Sequence, residues 1–319
     1  MSALWTWIIP RGKVARREAL WLYFFISPWL LGLIFFTVGP IIASLVLSTY
    51  RYSVRAAPEF VGLGNYTRLF SVDKIFWKSL QVSAYYTFLS VPVGIAASLG
   101  LAVLLNQKVP ALSVFRTIYY LPSVISGVPV ALLWMWILNP RFGVLNFVIS
   151  VLVGEHGIIP LGIQGPLWFF DEKWVIPSFV VMSLWGLGGP MIIYLAALQG
   201  VPTALYDAAT IDGANAWQRF RNVTLPMISP VILFTLITGV IGSFQVFTPA
   251  YIISGGRGGP NYASMFYVLY IFLSAFRRYR MGYASAMAWI LFWIILALTL
   301  LSLRASRRVI YYEAPGEGR

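Results

Sequence analysis

The chain has 319 residues, 59% of them hydrophobic and only 10% charged, with a mean hydropathy of +0.79. A water-facing surface needs roughly 25% charged residues, so a soluble globular protein is excluded and the hydrocarbon of a bilayer is the solvent that fits. A formal net charge of +13 would suit a nucleic-acid binder. The basic residues, however, are scattered between apolar runs and form no polybasic face, so lipid headgroups are the expected partner and nucleic acid is not.

A membrane helix takes about 20 predominantly apolar residues, at about 1.5 Å each through a core about 30 Å thick. In chain order, the charge-free stretches of that length are 19–50, 79–107, 117–140, 174–206, 222–256 and 281–303. The first follows Arg11, Lys13, Arg16 and Arg17. It exceeds the roughly 7–15 residues of a secretory signal core and no small-residue cleavage site follows, so it reads as a retained first span. The Gly- and Pro-rich interval 141–173 is too short for a separate soluble domain.

The stretch 258–276 is also uncharged. It opens on Gly258-Gly259-Pro260-Asn261 and closes on Arg277-Arg278-Tyr279-Arg280, and reads as a partly buried interfacial helix rather than a seventh span. The fold class is therefore all-α: a polytopic membrane bundle of about six transmembrane helices, with 1–319 forming a single transmembrane domain. Orientation does not follow from charge. With the N-terminus inside, the inner segments carry twelve Lys and Arg and the outer ones eleven, so the positive-inside count is balanced.

Enzymatic motifs are missing. The chain has no cysteine and one histidine, His156, set in a Gly/Pro-rich loop without a ligand cluster, so neither disulfides nor a metal site is expected. Ser254-Gly255-Gly256-Arg257-Gly258-Gly259-Pro260 lacks the Gly-Lys-Ser/Thr of a phosphate-binding loop and reads as a turn. Thr37-Val38-Gly39 resembles a potassium filter by chance, since Pro40 follows. Asp171-Glu172, beside Lys173, reads as a solvated helix end and not an acid–base pair. No catalytic residues are expected. The six spans hold no ionisable residue in their interiors, which disfavours an ion-coupled carrier and suits a neutral, polyhydroxylated substrate bound by hydroxyls, amides and aromatic faces.

The segment 200–226 stands out. It contains two short helices joined at Gly213, with Thr203 as the expected N-cap after Pro202 and Gly213 as a left-handed stop. Leu205, Ala208 and Ala209 share one face; Trp217 and Phe220 form the apolar face of the second helix, which Pro226 is expected to end. On residues alone, an ordinary amphipathic loop packed under its own bundle accounts for it equally well.

With Asp207-Ala208-Ala209, Gly213 and Leu225-Pro226 in place, the segment resembles the coupling loop of ABC-importer permeases. Ile211-Asp212-Gly213-Ala214 and Val223-Thr224-Leu225-Pro226 are similar to the carbohydrate branch, the maltose and glycerol-phosphate permeases. So are Phe115-Arg116, Tyr119-Tyr120-Leu121-Pro122, Ala131-Leu132-Leu133-Trp134, Gly258-Gly259-Pro260 and Gly282-Tyr283-Ala284-Ser285-Ala286. Two departures are Asp207 where the family has Glu, and the lack of the large periplasmic domain of the longer maltose subunit.

The resemblance implies a permease subunit in the bacterial inner membrane with both termini cytoplasmic. It implies a second permease, two ATPase subunits carrying ATP and magnesium, and an extracytoplasmic solute-binding protein that delivers a sugar. This chain itself would hold no cofactor. The ATPase-coupling residues would be Asp207, Ala208, Ala209, Gly213, Trp217 and Phe220. Sugar contacts in the family map near 183–188 and 239–247, with Ser183, Trp185, Ser243 and Gln245 as candidates; each is equally explained as a helix–helix packing contact.

Overall fold

The computed structural model describes residues 13–54, 56–107, 110–125, 127–154, 158–159, 161 and 164–306; His156 lies outside them. The first span runs through α1 (Lys13–Leu33), a π turn (Ile34–Val38) that contains Thr37 and Val38, and α2 (Gly39–Ser48). A hairpin follows, β1 (Tyr50–Ser53) against β2 (Ala56–Phe60), antiparallel with Tyr50 opposite Phe60. It is the only sheet among the described residues, an addition to the all-α expectation. A short helix α3 (Gly64–Ser71) leads into the second span, α4 (Lys74–Leu105).

The third and fourth spans are not straight rods, which corrects the reading of each as one continuous helix. The third is α5 (Leu112–Val124) and α6 (Gly127–Ile137), bent by 102°. A separate helix α7 (Val144–Val153) follows. The fourth span is α8 (Val175–Ser183), a 3-10 turn (Leu184–Gly186) and α9 (Gly188–Gln199), bent by 53°. Each break lies four residues before a proline: Ile125 before Pro129, Gly186 before Pro190. A proline ring crowds the carbonyl four residues back and brings no N–H to bond it, so both breaks fall where the helical ladder is weakened.

Beyond α9 come α10 (Thr203–Ile211), α11 (Ala216–Arg219), a π turn (Phe220–Thr224), α12 (Leu225–Phe244) and α13 (Thr248–Ile253). Pro226 does not end the second helix of the pair. It sits in the first turn of α12, where its missing N–H is tolerated. Pro230, one turn on, leaves the Pro226 carbonyl free, and the Ser229 hydroxyl donates to that carbonyl at 2.7 Å. The chain closes with α14 (Tyr267–Phe272), a π turn (Leu273–Arg277) and the last span α15 (Met281–Ser306). Among the described residues four helices are long and apolar enough to cross a membrane, up to six when each bent pair counts as one span. That is the expected six, with 258–276 outside the count. Its helix is short and packed into the bundle, with Phe266, Tyr267 and Leu269 fully buried beside α4 and α15.

Two apolar cores form at opposite ends of α4. One gathers Phe76, Val82 and Tyr86 with Phe179, Phe266, Tyr267 and Met287. The other gathers Leu99, Ala102 and Leu105 with Met191, Tyr194, Leu198 and Ile228. The first is stapled by Asp73, which lies just outside the span. Its carboxylate caps α4 by accepting from the N–H groups of Ile75 at 2.9 Å and Phe76 at 3.0 Å, and it also accepts the phenol protons of Tyr270 and Tyr283. One side chain thus joins the second span, the inserted helix and the last span. Gly282, next to Tyr283, touches the Tyr50 carbonyl so closely that any Cβ would collide with it, which seats the hairpin on the start of α15.

Burial by itself raises the pKa of Asp73, but the hydrogen bonds from Tyr270, Tyr283, Phe76 and Ile75 more than offset it, and the carboxyl ends below its ordinary value. Asp73→Ala removes a cap worth about 1 kcal/mol and leaves two phenol protons without an acceptor at about 1–3 kcal/mol each, so the melting temperature of the purified chain falls clearly. Asp73→Asn, which still caps, falls less. Because the native pKa is depressed, this stabilisation is complete above the about 3.9 of a free aspartate and is lost as pH falls through the lowered value. The wild-type advantage over Asp73→Asn therefore holds at neutral pH and shrinks only in strong acid.

Candidate functional site

Between the two cores, at mid-length of α4, the bundle opens into a cleft of about 230 Å³. Tyr86, Ser90, Gly94 and Ser98 line one wall at every fourth residue of α4, a single helical stripe. Facing it are Ser183, Gly186, Leu187 and Pro190 at the break of the fourth span, and Thr235, Gly239, Gly242 and Ser243 on α12. None of the lining residues is charged. The Tyr86 hydroxyl shares this cleft with Ser183 and Ser90. The one proton of Ser243 Oγ is shared between Thr87 Oγ1 at 2.9 Å and the Val240 carbonyl at 3.0 Å, and Ser183 Oγ donates to the Val180 carbonyl at 2.7 Å. Glycine backbone and hydroxyls that can exchange their partners make the wall able to hydrogen-bond a neutral solute.

Two of the four substrate candidates, Ser183 and Ser243, come together in this cleft; Trp185 and Gln245 are not among its lining residues. Trp185 stands in the 3-10 turn with its ring edge-to-face on Trp134, centroids 6.1 Å apart, and both indole N–H groups are buried without a partner. Gln245 is exposed at the end of α12, in the gap before α13. The α4 wall was missed by sequence reasoning. Its signal was present as small and hydroxylated residues at a spacing of four within an uncharged run.

At the far end of α4 lies an exposed helix pair, α10 and α11. Pro202 occupies the N-cap of α10 and Thr203 is the first helical residue, which corrects the expected cap; no side-chain bond closes that end. Gly213 has φ +77° and open space around it, so backbone conformation alone calls for glycine. Asn215 caps α11 in a reciprocal box with Gln218, at 2.9 and 2.8 Å, a pattern of Asn and Gln three apart that was legible in the sequence. Tyr206 and Thr224 join hydroxyls at 3.0 Å, and Arg219 donates to Thr210 at 3.2 Å; these bonds tie α10 to α11 and to the π turn above it.

Asp207 and Ala208 are exposed, Ala209 is half-buried, and Trp217 is 66% exposed. Phe220 is different: it packs against the chain's own second core, with its ring 5.6 Å from that of Trp217. The pair therefore presents Leu205, Ala208, Ile211 and Trp217 outward and anchors itself through Tyr206 and Phe220.

Crossing helices broken around an uncharged cleft, with an exposed helix pair on one face, define a membrane transport subunit. The family described as Binding-protein-dependent transport system inner membrane component matches residues 86–310, which include both the cleft and the helix pair. Similar chains are the probable ABC transporter permease protein YesP of Bacillus subtilis, 38% identical over 96% of this chain and 97% of that one, and the lactose transport system permease protein LacF of Rhizobium radiobacter, 35% identical over 89% and 93%. The trehalose/maltose transport system permease protein MalF of Thermococcus litoralis is 32% identical over 93% and 97%. A chain of a bacterial alginate ABC transporter, crystallised with an alginate-pentasaccharide-bound periplasmic protein, superposes with TM-score 0.78 over 93% of this chain and 98% of that one at 24% identity, a likeness of fold. This chain belongs to the binding-protein-dependent transport system inner membrane component family, the permeases of ABC importers.

Because Gly213 is demanded by φ and not by space, Gly213→Asn keeps the helix pair while Gly213→Val strains it by about 1–2 kcal/mol. Protease nicking between α10 and α11 should rise for the valine variant and stay at the wild-type rate for asparagine. Equal nicking in both variants overturns the conformational assignment.

Proposed function

We propose that this permease forms half of the pathway for an uncharged sugar or oligosaccharide, handed over by an extracytoplasmic solute-binding protein and moved by alternating access. The observation that carries the reading is the uncharged, hydroxyl-lined cleft at the fourth-span break. The sugar-transport names of the similar permeases support it. At about 230 Å³ the cleft is smaller than the roughly 300–1,000 Å³ of a complete small-molecule site, as expected of a half completed by a second permease. Ser183 and Ser243 bind the substrate with Tyr86 and Ser90; Gln245 and Trp185 flank it.

Since the sequence has no phosphate-binding loop, ATP and its magnesium belong to two separate ATPase subunits. The exposed face of α10 and α11 docks on one of them. Asp207 pairs with a basic group there, Ala208 and Ala209 let it approach closely, Trp217 fills an apolar recess, and Gly213 and Phe220 hold the angle between the helices. That face is cytoplasmic, which puts both termini inside and the Arg277–Arg280 stretch outside, in a bacterial cytoplasmic membrane.

In the reconstituted assembly, Asp207→Asn should lose sugar-stimulated ATPase activity and transport together while the subunits still copurify, because a charge-assisted bond worth about 1.5–3 kcal/mol is gone. Wild-type coupling in that variant removes Asp207 from the joint. For the pathway, Tyr86→Phe with Ser243→Ala should lower transport about tenfold or more at unchanged assembly; full transport relocates the site. For orientation, a cysteine at Tyr279 in this cysteine-free chain should react with an impermeant reagent from outside. Labelling from the cytoplasmic side alone reverses the topology.

A further inference from the structure

On the face opposite α10 and α11, the hairpin, α3 and the start of α15 enclose a basin of about 390 Å³. Arg51, Arg68, Arg278 and Arg280 reach it from three separate parts of the chain, and Glu59 is its only carboxylate. Arg51 already takes Glu59, at 2.8 Å. Asp73, behind the wall, is taken by the phenols of Tyr270 and Tyr283. Arg278 is held in place by a 3.3 Å bond to the Tyr270 hydroxyl, with its guanidinium 5.3 Å from that ring's centroid. Arg68, Arg278 and Arg280 are thus left without a carboxylate partner among the described residues.

Like charges gathered in one cavity repel, and long basic side chains free to do so splay into water. Here four of them line one basin, while Arg277, a neighbour in sequence, turns away to Tyr251 and the Gly256 carbonyl. The segments that line the basin also carry exposed apolar side chains next to it in sequence: Val54 beside Ser53 is 64% exposed, Phe60 beside Glu59 is 68% exposed, and Val72, just after α3, is 70% exposed. Guanidinium groups match the planar oxygens of a phosphate two at a time, while the apolar rim suits acyl chains and not water. The ligand this combination fits is an amphiphile with an anionic phosphate head.

We infer that this basin is a binding site for the phosphate of an anionic phospholipid headgroup. It sits where the chain places basic residues on the side that the positive-inside tendency leaves poor in them, and the bound phosphate offsets that charge. Arg278 and Arg280 grip the head, Arg68 backs it, and the rim takes the first carbons of the chains. The site rests on membrane insertion and on the orientation proposed above, not on the sugar assignment.

The test is lipid retention by the full-length chain, purified with whatever subunits accompany it and returned to nanodiscs of phosphatidylglycerol mixed with phosphatidylcholine, then read by native mass spectrometry. Wild type should retain phosphatidylglycerol over phosphatidylcholine. Arg278→Gln with Arg280→Gln should lose about tenfold of that preference, the factor one charge-assisted bond carries. Arg257→Gln, basic but outside the basin, should keep it. Arg278→Lys with Arg280→Lys guards against misfolding, because charge is kept, and should retain an intermediate preference. No preference in wild type, or one unmoved by the glutamine pair, overturns the site. Displacement of phosphatidylglycerol by an equal concentration of inorganic phosphate assigns the basin to a free anion and overturns the lipid.

Discussion

In the hydrocarbon of a bilayer no water is present to bond a bare peptide group, so every backbone N–H and C=O of a span must be satisfied within the protein. The rest of this architecture follows from that constraint. Helices may break only where protein or a polar cavity covers the freed groups, and the break at Leu184–Gly186 and the end of α12 at Ser243 face the same uncharged cleft. Elsewhere, hydroxyls cover the carbonyls that bends or prolines expose, as Ser229 does for Pro226. The places where the backbone is irregular are therefore the places where a solute can be bonded.

Since lipid is as apolar as a leucine side chain, helix association here depends on close packing and buried polar bonds. The two ends of the bundle solve this differently. One end is locked: Asp73 draws three elements together, and the Tyr267 N–H and hydroxyl reach Ser83 on α4 and the Met287 carbonyl on α15, at 2.9 and 3.0 Å. The other end is tied by hydroxyl pairs, Tyr194 to Thr235 and Tyr206 to Thr224. From Trp217 the helical path continues through the π turn into α12 and up to Ser243, about 40 Å at 1.5 Å per residue. On the proposed reading, a tilt of α11 is delivered along that path to the wall of the cleft.

Much of the fold is legible in the sequence. Uncharged runs located the spans, the pattern around Asp207, Gly213 and Leu225-Pro226 located the helix pair, and the need for a left-handed Gly213 followed from its place between two helices. The errors share a cause. Pro226 was read as a stop because a proline removes an N–H, but in the first turn of a span that N–H is not needed. Thr203 was read as a cap on side-chain type alone, whereas the neighbouring proline already had the extended backbone a cap requires.

Hydropathy and charge determined that the chain crosses a membrane about six times and that its span interiors hold no charged residue, and motif spacing located the helix pair, because each of these depends only on local composition. Which residues meet across the bundle was decided by tertiary structure. Tyr86 and Ser90 join Ser183 and Ser243 across nearly a hundred residues or more of chain, Phe220 turns inward while Trp217 turns out, and four arginines from three segments share one basin. Contacts of that kind depend on how helices cross and where they break, and no window of sequence short enough to read contains both partners.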